Sequence, residues 1–275
     1  MKKVFTALTA AALAATLAGC SSSVASSAED KTITVGATAV PHAMILNDVV
    51  ADVLAEEGWT LKVVEFSDYV QPNQSLEDGE LDANYFQTLA YMEDQNEAHD
   101  WHLVAAQGIH YEPMTLFSKD YTEISEFQDG DQIAIPNDYD NEKRALILAA
   151  STGLIEYDPD LAADSPLDGI TSNPLNIDFV EIEAALVPQQ NADVAGLIVN
   201  GNYALEANLK DSANTVFVEQ LTDEQIEARI NYVVVKEGNE ETDKTKALIA
   251  AITSDAVAEY IEENYGSAVI CTFKD

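Results

Sequence analysis

KTITVGATAVPHAMILNDVVADVLAEEGWTLKVVEF, residues 31–66, reads as strand, helix, strand. Lys31 to Ala37 alternates polar and apolar side chains, the two-residue period of a strand. From Pro41 the apolar positions Ile45, Leu46, Val49, Val50, Val53 and Leu54 recur at helical spacing. Gly58 stands where helices commonly end on a left-handed residue, and Trp59 to Phe66 returns to strand. Such a unit builds sheets that are covered by helices, so the chain is expected to be α/β.

The same alternation continues outward. Gln74 to Gly79 reads as a short helix before Leu81 to Phe86, and Gln132 to Pro136 as a strand. A helix is expected over Glu142 to Ser151, capped by Asp140 or Asn141 and stopped at Gly153. Ile177 to Ile182 and Val194 to Val199 read as strands, and Thr222 as the cap of a helix over Asp223 to Ala228. One long helix is expected from Lys244 to Glu262. Met114 to Ser118 and Asn231 to Lys236 read as pairable strands flanking the middle set. Two α/β lobes joined by two crossings would fit this order, and such lobes can close on a small ligand.

Charge narrows the function. The 275 residues carry 13 Lys and Arg against 49 Asp and Glu, a formal net charge of -36. A polyanion repels phosphate backbones and anionic headgroups, so nucleic acid is excluded and any membrane tether must be covalent or hydrophobic. With 47% apolar residues the chain can bury a core and is not an acidic disordered tail. The N-terminus supplies a tether. Lys2 and Lys3 precede an apolar run from Val4 to Ala18 that is shorter than the ~20 residues needed to span a bilayer. It ends in Leu17-Ala18-Gly19-Cys20, which resembles a bacterial lipobox. Residues 1–19 are therefore expected to be a lipoprotein signal peptide. Residues 20–31 would be the anchor and flexible linker, with Cys20 carrying lipid (acyl chains such as palmitate). Cys271, the other cysteine, then has no disulfide partner and is expected to be a buried, inert thiol.

Candidate chemistry is sparse. Arg144 falls about one turn into the helix after a buried-looking strand, where open α/β sheets place ligands. It reads either as a fork for a carboxylate or as the partner of an acidic side chain. Tyr69, Tyr85, Phe86, Tyr91 and Tyr111 cluster near His110 and read as core packing or as the wall of an apolar slot. Asn200-Gly201-Asn202-Tyr203 offers amides to a ligand or simply a turn. His99 and His102, with Glu97 nearby, have the spacing of a partial metal site, but no second cluster completes it. No nucleophile elbow, His-Glu-x-x-His helix or Gly-rich phosphate loop occurs, so the chain is read as a non-enzyme without cofactor or metal.

Several strings, in order, resemble the methionine-binding lipoproteins of the NlpA family. They are Val35 to Ala43, Glu65 to Asn73, Gly79 to Gln87, His110 to Met114, Ile135 to Asp138, Asn141 with Arg144 to Leu146, and Asn200 to Leu205. The resemblance implies a two-lobed periplasmic-binding-protein fold of type II-like form with the ligand in the interlobe cleft. Lobe 1 would comprise 32–118 and 230–275, and lobe 2 119–229. It further implies capture of methionine (L- and D-forms or a close analogue) for the permease and ATPase of an ABC importer. The protein would sit on the extracytoplasmic face of the cell membrane. Carried over by position, Arg144 would hold the ligand carboxylate, and Asn200 and Asn231 its backbone groups. Tyr69, Phe86, Tyr91 and His110 would surround the thioether. Two departures stand out: Thr88 replaces a family His, and Ala228-Arg229 replaces a Pro-Tyr-like pair. These leave room for another amino acid as ligand; a metal-binding lipoprotein is the other alternative.

Overall fold

A computed structural model describes residues 31–274. The signal peptide, Cys20 and nearly all of the linker lie outside the described residues. Chain order starts with β1 (Thr32–Thr38), two wide helical turns, and α1 (Ala51–Glu56). Next come β2 (Thr60–Phe66), α2 (Gln71–Glu77), β3 (Ala83–Thr88), α3 (Leu89–His99), β4 (Leu103–Tyr111) and β5 (Thr115–Ser118). The middle set holds β6 (Gln132–Pro136), α4 (Tyr139–Ser151), a small hairpin of β7 (Glu156–Tyr157) and β8 (Ile170–Ser172), and β9 (Asp178–Ile182). It continues with β10 (Gly196–Val199), α5 (Gly201–Glu206), α6 (Leu209–Ser212), β11 (Asn214–Val218) and α7 (Asp223–Glu227). β12 (Ile230–Lys236), α8 (Asp243–Ile252), α9 (Asp255–Tyr265) and β13 (Ile270–Cys271) close the chain.

Two sheets form. The first has the order β13-β4-β12-β3-β1-β2, the second β11-β5-β10-β6-β9. β1 runs parallel to β2 and β3, and β6 runs parallel to β9 and β10. β12 returns antiparallel between β3 and β4, so both ends of the chain build the first lobe. Each lobe has its own apolar centre. Ile33, Val35, Ile45, Leu46, Ile109 and Val233 pack in the first, and Leu116, Ile133, Ile135, Leu146 and Ile198 in the second.

Three expectations change. Thr115–Ser118 pairs with β10 and β11, not with β12, so the first crossing lies at Glu112–Met114 and not after Ser118. An apolar run reads alike in either sheet; only its distant partners decide. The helix after β6 starts at Tyr139 because Asp138, not Asp140 or Asn141, caps it by accepting from the Asn141 amide at 3.0 Å. The C-terminal helix is two helices. Thr253 bonds back to the Ile249 carbonyl at 2.7 Å, and Ser254 takes the extended backbone of a helix start. By contrast, Gly58 (φ +78°) ends α1 as the sequence suggests, and Thr222 forms a reciprocal capping box with Gln225. Cys271 pairs along β4 and is half-buried rather than buried.

Candidate ligand cleft

The cleft lies at the carboxyl ends of parallel strands in both lobes, where such sheets leave a crevice. β6 leads into α4, which presents Asn141 and Arg144, and the adjacent β10 leads into Asn200, Gly201 and Asn202. From the first lobe, β2 leads towards Tyr69, and β3 ends in Phe86, Gln87 and Thr88 before Tyr91 on α3. Register places Asn231 opposite Thr88 on one side and His110 on the other. The crossing residue Glu112 completes the lining of an empty space of about 350 Å³. That lies at the small end of the roughly 300–1,000 Å³ of small-molecule sites.

One wall is aromatic. The ring centroids of Tyr69, Phe86 and Tyr91 stand 5.6–6.2 Å apart in tilted and edge-on contacts. Tyr69 also stacks on Tyr203 of the second lobe at 4.9 Å and donates to Asn202 Oδ1 at 2.5 Å. The lobes are thus held together across the cleft. Thr88, in place of the family His, caps α3 by accepting from the Tyr91 amide and so sets where Tyr91 stands.

The opposite wall is polar. Arg144 is buried, donating from Nε to Glu219 Oε1 at 2.9 Å and from Nη2 to Glu219 Oε2 at 2.6 Å. Nη2 also donates to the Glu112 carbonyl at 2.9 Å. Both readings of Arg144 therefore apply: it pairs with an acid, and it lines the cleft. Burial pushes the Glu219 carboxyl up, but Arg144, the Met114 amide and the Tyr111 hydroxyl outweigh this and hold it below the usual carboxylate range. Asn200 is buried at the start of α5 but does not cap it. Its Nδ2 donates to Asn141 Oδ1 at 2.7 Å, which leaves Oδ1 buried and unpartnered. Asn202 Nδ2 is likewise buried and unpartnered. An orphaned acceptor and donor on one wall are costly unless a ligand meets them.

His110 falls outside the cleft lining and sits beneath it, wholly buried. It bonds to the Tyr85 hydroxyl through Nδ1 and to Glu112 Oε1 through Nε2, the latter at 2.7 Å. Its expected contact with the thioether is replaced by a supporting one. The alternation of β4 explains this, since His110 and Glu112 share one side while Tyr111 reaches Glu219. His42 stands beside it, bonded to Thr38 Oγ1 at 2.9 Å and Asn231 Oδ1 at 3.1 Å. Burial lowers His42 to about 4, against the pull of Glu112, and His110 to about 3, so both rings are neutral near pH 7. Ligating atoms of His42, His110 and Glu112 lie within 4.8 Å of one another, yet each ring nitrogen already faces a hydrogen-bond partner. The trio is a bonded floor. His99 stacks on Trp101, and His102 lies 3.8 Å from Glu77, so the two do not converge. Arg229 does not face the cleft as an extra charge: Nη1 reaches both oxygens of Asp140 at 2.8 and 2.7 Å.

The NlpA lipoprotein family model matches residues 33–273. The chain belongs to the NlpA lipoprotein family. It is 33% identical over 274 residues to the methionine-binding lipoprotein MetQ of Bacillus subtilis, covering 98% of both chains. A nutrient binding protein from Burkholderia cenocepacia, solved bound to methionine, superposes with a TM-score of 0.81 at 32% identity; the match covers 87% of this chain and 99% of that one. The substrate binding protein of a methionine transporter from Streptococcus pneumoniae gives 0.81 at 30% identity, covering 88% and 96%. The two-lobed substrate-binding-protein architecture expected from the sequence is therefore the fold of this NlpA-family chain.

Sequence reading picked out Tyr69, Phe86, Tyr91, Arg144, Asn200 and Asn231, and all six line this one cleft. It missed Glu112, Asn141 and Asn202 as lining residues, although each lies in a string quoted for the family. Gly201 carries its own signal. A Cβ there would stand 2.7 Å from Glu112 Cβ and 2.8 Å from Glu112 Oε2. Gly201→Ala is expected to displace Glu112 and weaken ligand binding about tenfold or more. Calorimetry on the variant with unchanged affinity would show that Glu112 moves freely.

Proposed function

We propose that this NlpA-family chain is the substrate-binding component of a methionine ABC importer, tethered through Cys20 on the extracytoplasmic face of the membrane. No helix among the described residues is long and apolar enough to cross a membrane, which fits a lipid tether. The observation that carries the ligand assignment is the pair of unpartnered buried atoms, Asn200 Oδ1 and Asn202 Nδ2, beside Arg144. An α-amino acid presents an acceptor carboxylate and a donor ammonium on one carbon, which is what such a wall can satisfy together. Arg144 through Nη1, with Asn202 Nδ2 and the Asn231 amide, takes the carboxylate; Asn200 Oδ1 takes an ammonium proton. The side chain enters the Tyr69–Phe86–Tyr91 box, where ring edges favour a polarizable sulfur.

Binding needs both walls. Burying a methionine side chain contributes roughly 1.5–3 kcal/mol, whereas micromolar affinity needs about 8 kcal/mol. The polar wall supplies most of the remainder. No group in the cleft is arranged as a nucleophile with a base, so the ligand is held and released unchanged. Protein stripped of ligand by unfolding and refolding should gain about 5–10 °C in Tm with L-methionine at a hundredfold excess over Kd. Leucine and methionine sulfoxide should give clearly smaller shifts. Equal shifts across such a panel would refute a methionine site, and a shift with leucine alone would relocate the specificity.

A further inference from the structure

We infer that Glu112 is the ionic acceptor of the ligand's α-ammonium and restricts the cleft to ligands whose amino group is unblocked. This rests on the amino-acid reading above and adds the residue that selects for the amine. Among the described residues lining the cleft, Glu112 is the only carboxylate and Arg144 the only cation. Their side chains are not each other's partner, because the guanidinium grips Glu219 and touches only the carbonyl of Glu112. Glu112 is 5% exposed. One oxygen, Oε1, accepts from the neutral His110 ring at 2.7 Å. The other, Oε2, lies on the side of Gly201, a residue that itself lines the cleft.

A buried carboxylate whose close neighbours are neutral imidazoles lacks a full counter-charge. Burial accordingly raises the Glu112 carboxyl, although His42, Arg144 and the Asn202 amide oppose this. A ligand ammonium at Oε2 would supply the missing charge, and Asn200 Oδ1, one residue before Gly201, would accept a second of its protons. The His110 bond fixes Glu112 so that the pair forms without reorganising the floor.

The test compares L-methionine with 4-(methylthio)butanoic acid, which keeps the carboxylate and thioether but lacks the amine, by calorimetry on the wild type and Glu112→Gln. The wild type should prefer methionine by about a hundredfold or more, and N-acetylmethionine should bind as poorly as the desamino acid. Glu112→Gln should lose methionine affinity by at least about thirtyfold while binding the desamino acid nearly as before. Equal loss of both ligands in the folded variant, or a preserved preference, would overturn the assignment. So would a wild type that binds the desamino acid within about tenfold of methionine, a readout that does not depend on the variant folding. A wild type silent to methionine would instead overturn the methionine reading on which this one stands.

Discussion

Arg144→Ala should weaken methionine binding by at least a hundredfold and also lower stability by about 3 kcal/mol. The two effects have separate causes. The ligand carboxylate loses its cation in a site shielded from water, and such charge-assisted bonds are the strong ones. Glu219, which accepts from Nε and Nη2, is left buried with only the Tyr111 hydroxyl and the Met114 amide. Arg144→Lys keeps the charge but cannot grip Glu219 and face the cleft at once, so its affinity should also fall by about tenfold or more. Urea unfolding and calorimetry below the variant's melting range separate the two effects. Near-native affinity in folded Arg144→Ala would remove the carboxylate assignment.

A loss of about 2–4 kcal/mol is expected from Asn84→Ala, although this residue does not line the cleft. Asn84, Asn73 and Gln87 are almost wholly buried and bonded into a closed ring of amides. Asn84 Nδ2 donates to Asn73 Oδ1 at 2.8 Å and to the Pro72 carbonyl at 3.2 Å, and Asn84 Oδ1 accepts from Gln87 Nε2 at 2.9 Å. Asn73 Nδ2 returns to Gln87 Oε1 at 2.8 Å. Truncating one member strands polar atoms on the other two and opens a void beneath β3. Because Gln87 follows Phe86 and lines the cleft, binding should weaken as well. A change in the urea midpoint equivalent to less than about 0.5 kcal/mol would show that water or repacking replaces the ring.

Much of this could be read from the chain before folding was considered. The strand–helix–strand period of residues 31–66 depends on neighbours close in sequence, and it appears in the structure with Gly58 at its stop. Asn200 and Arg144 were legible because each follows a buried strand. Pairing was less legible. The choice of Thr115–Ser118 between the two sheets depends on residues some eighty to one hundred positions away. His110 looked like a pocket wall because it stood among aromatics, but strand alternation turned it onto Glu112. The Asn73–Asn84–Gln87 ring left no signal at all. Amides spaced eleven and fourteen residues apart look like ordinary surface polarity until the fold closes over them.

The central claim is that this cleft captures methionine by its zwitterion and its thioether together. Calorimetric titration of the refolded, ligand-free protein with L-methionine tests it most directly. One site per chain is predicted, with a Kd of about 1 μM or tighter. No heat from a demonstrably folded sample, at several temperatures and up to about millimolar ligand, would contradict it.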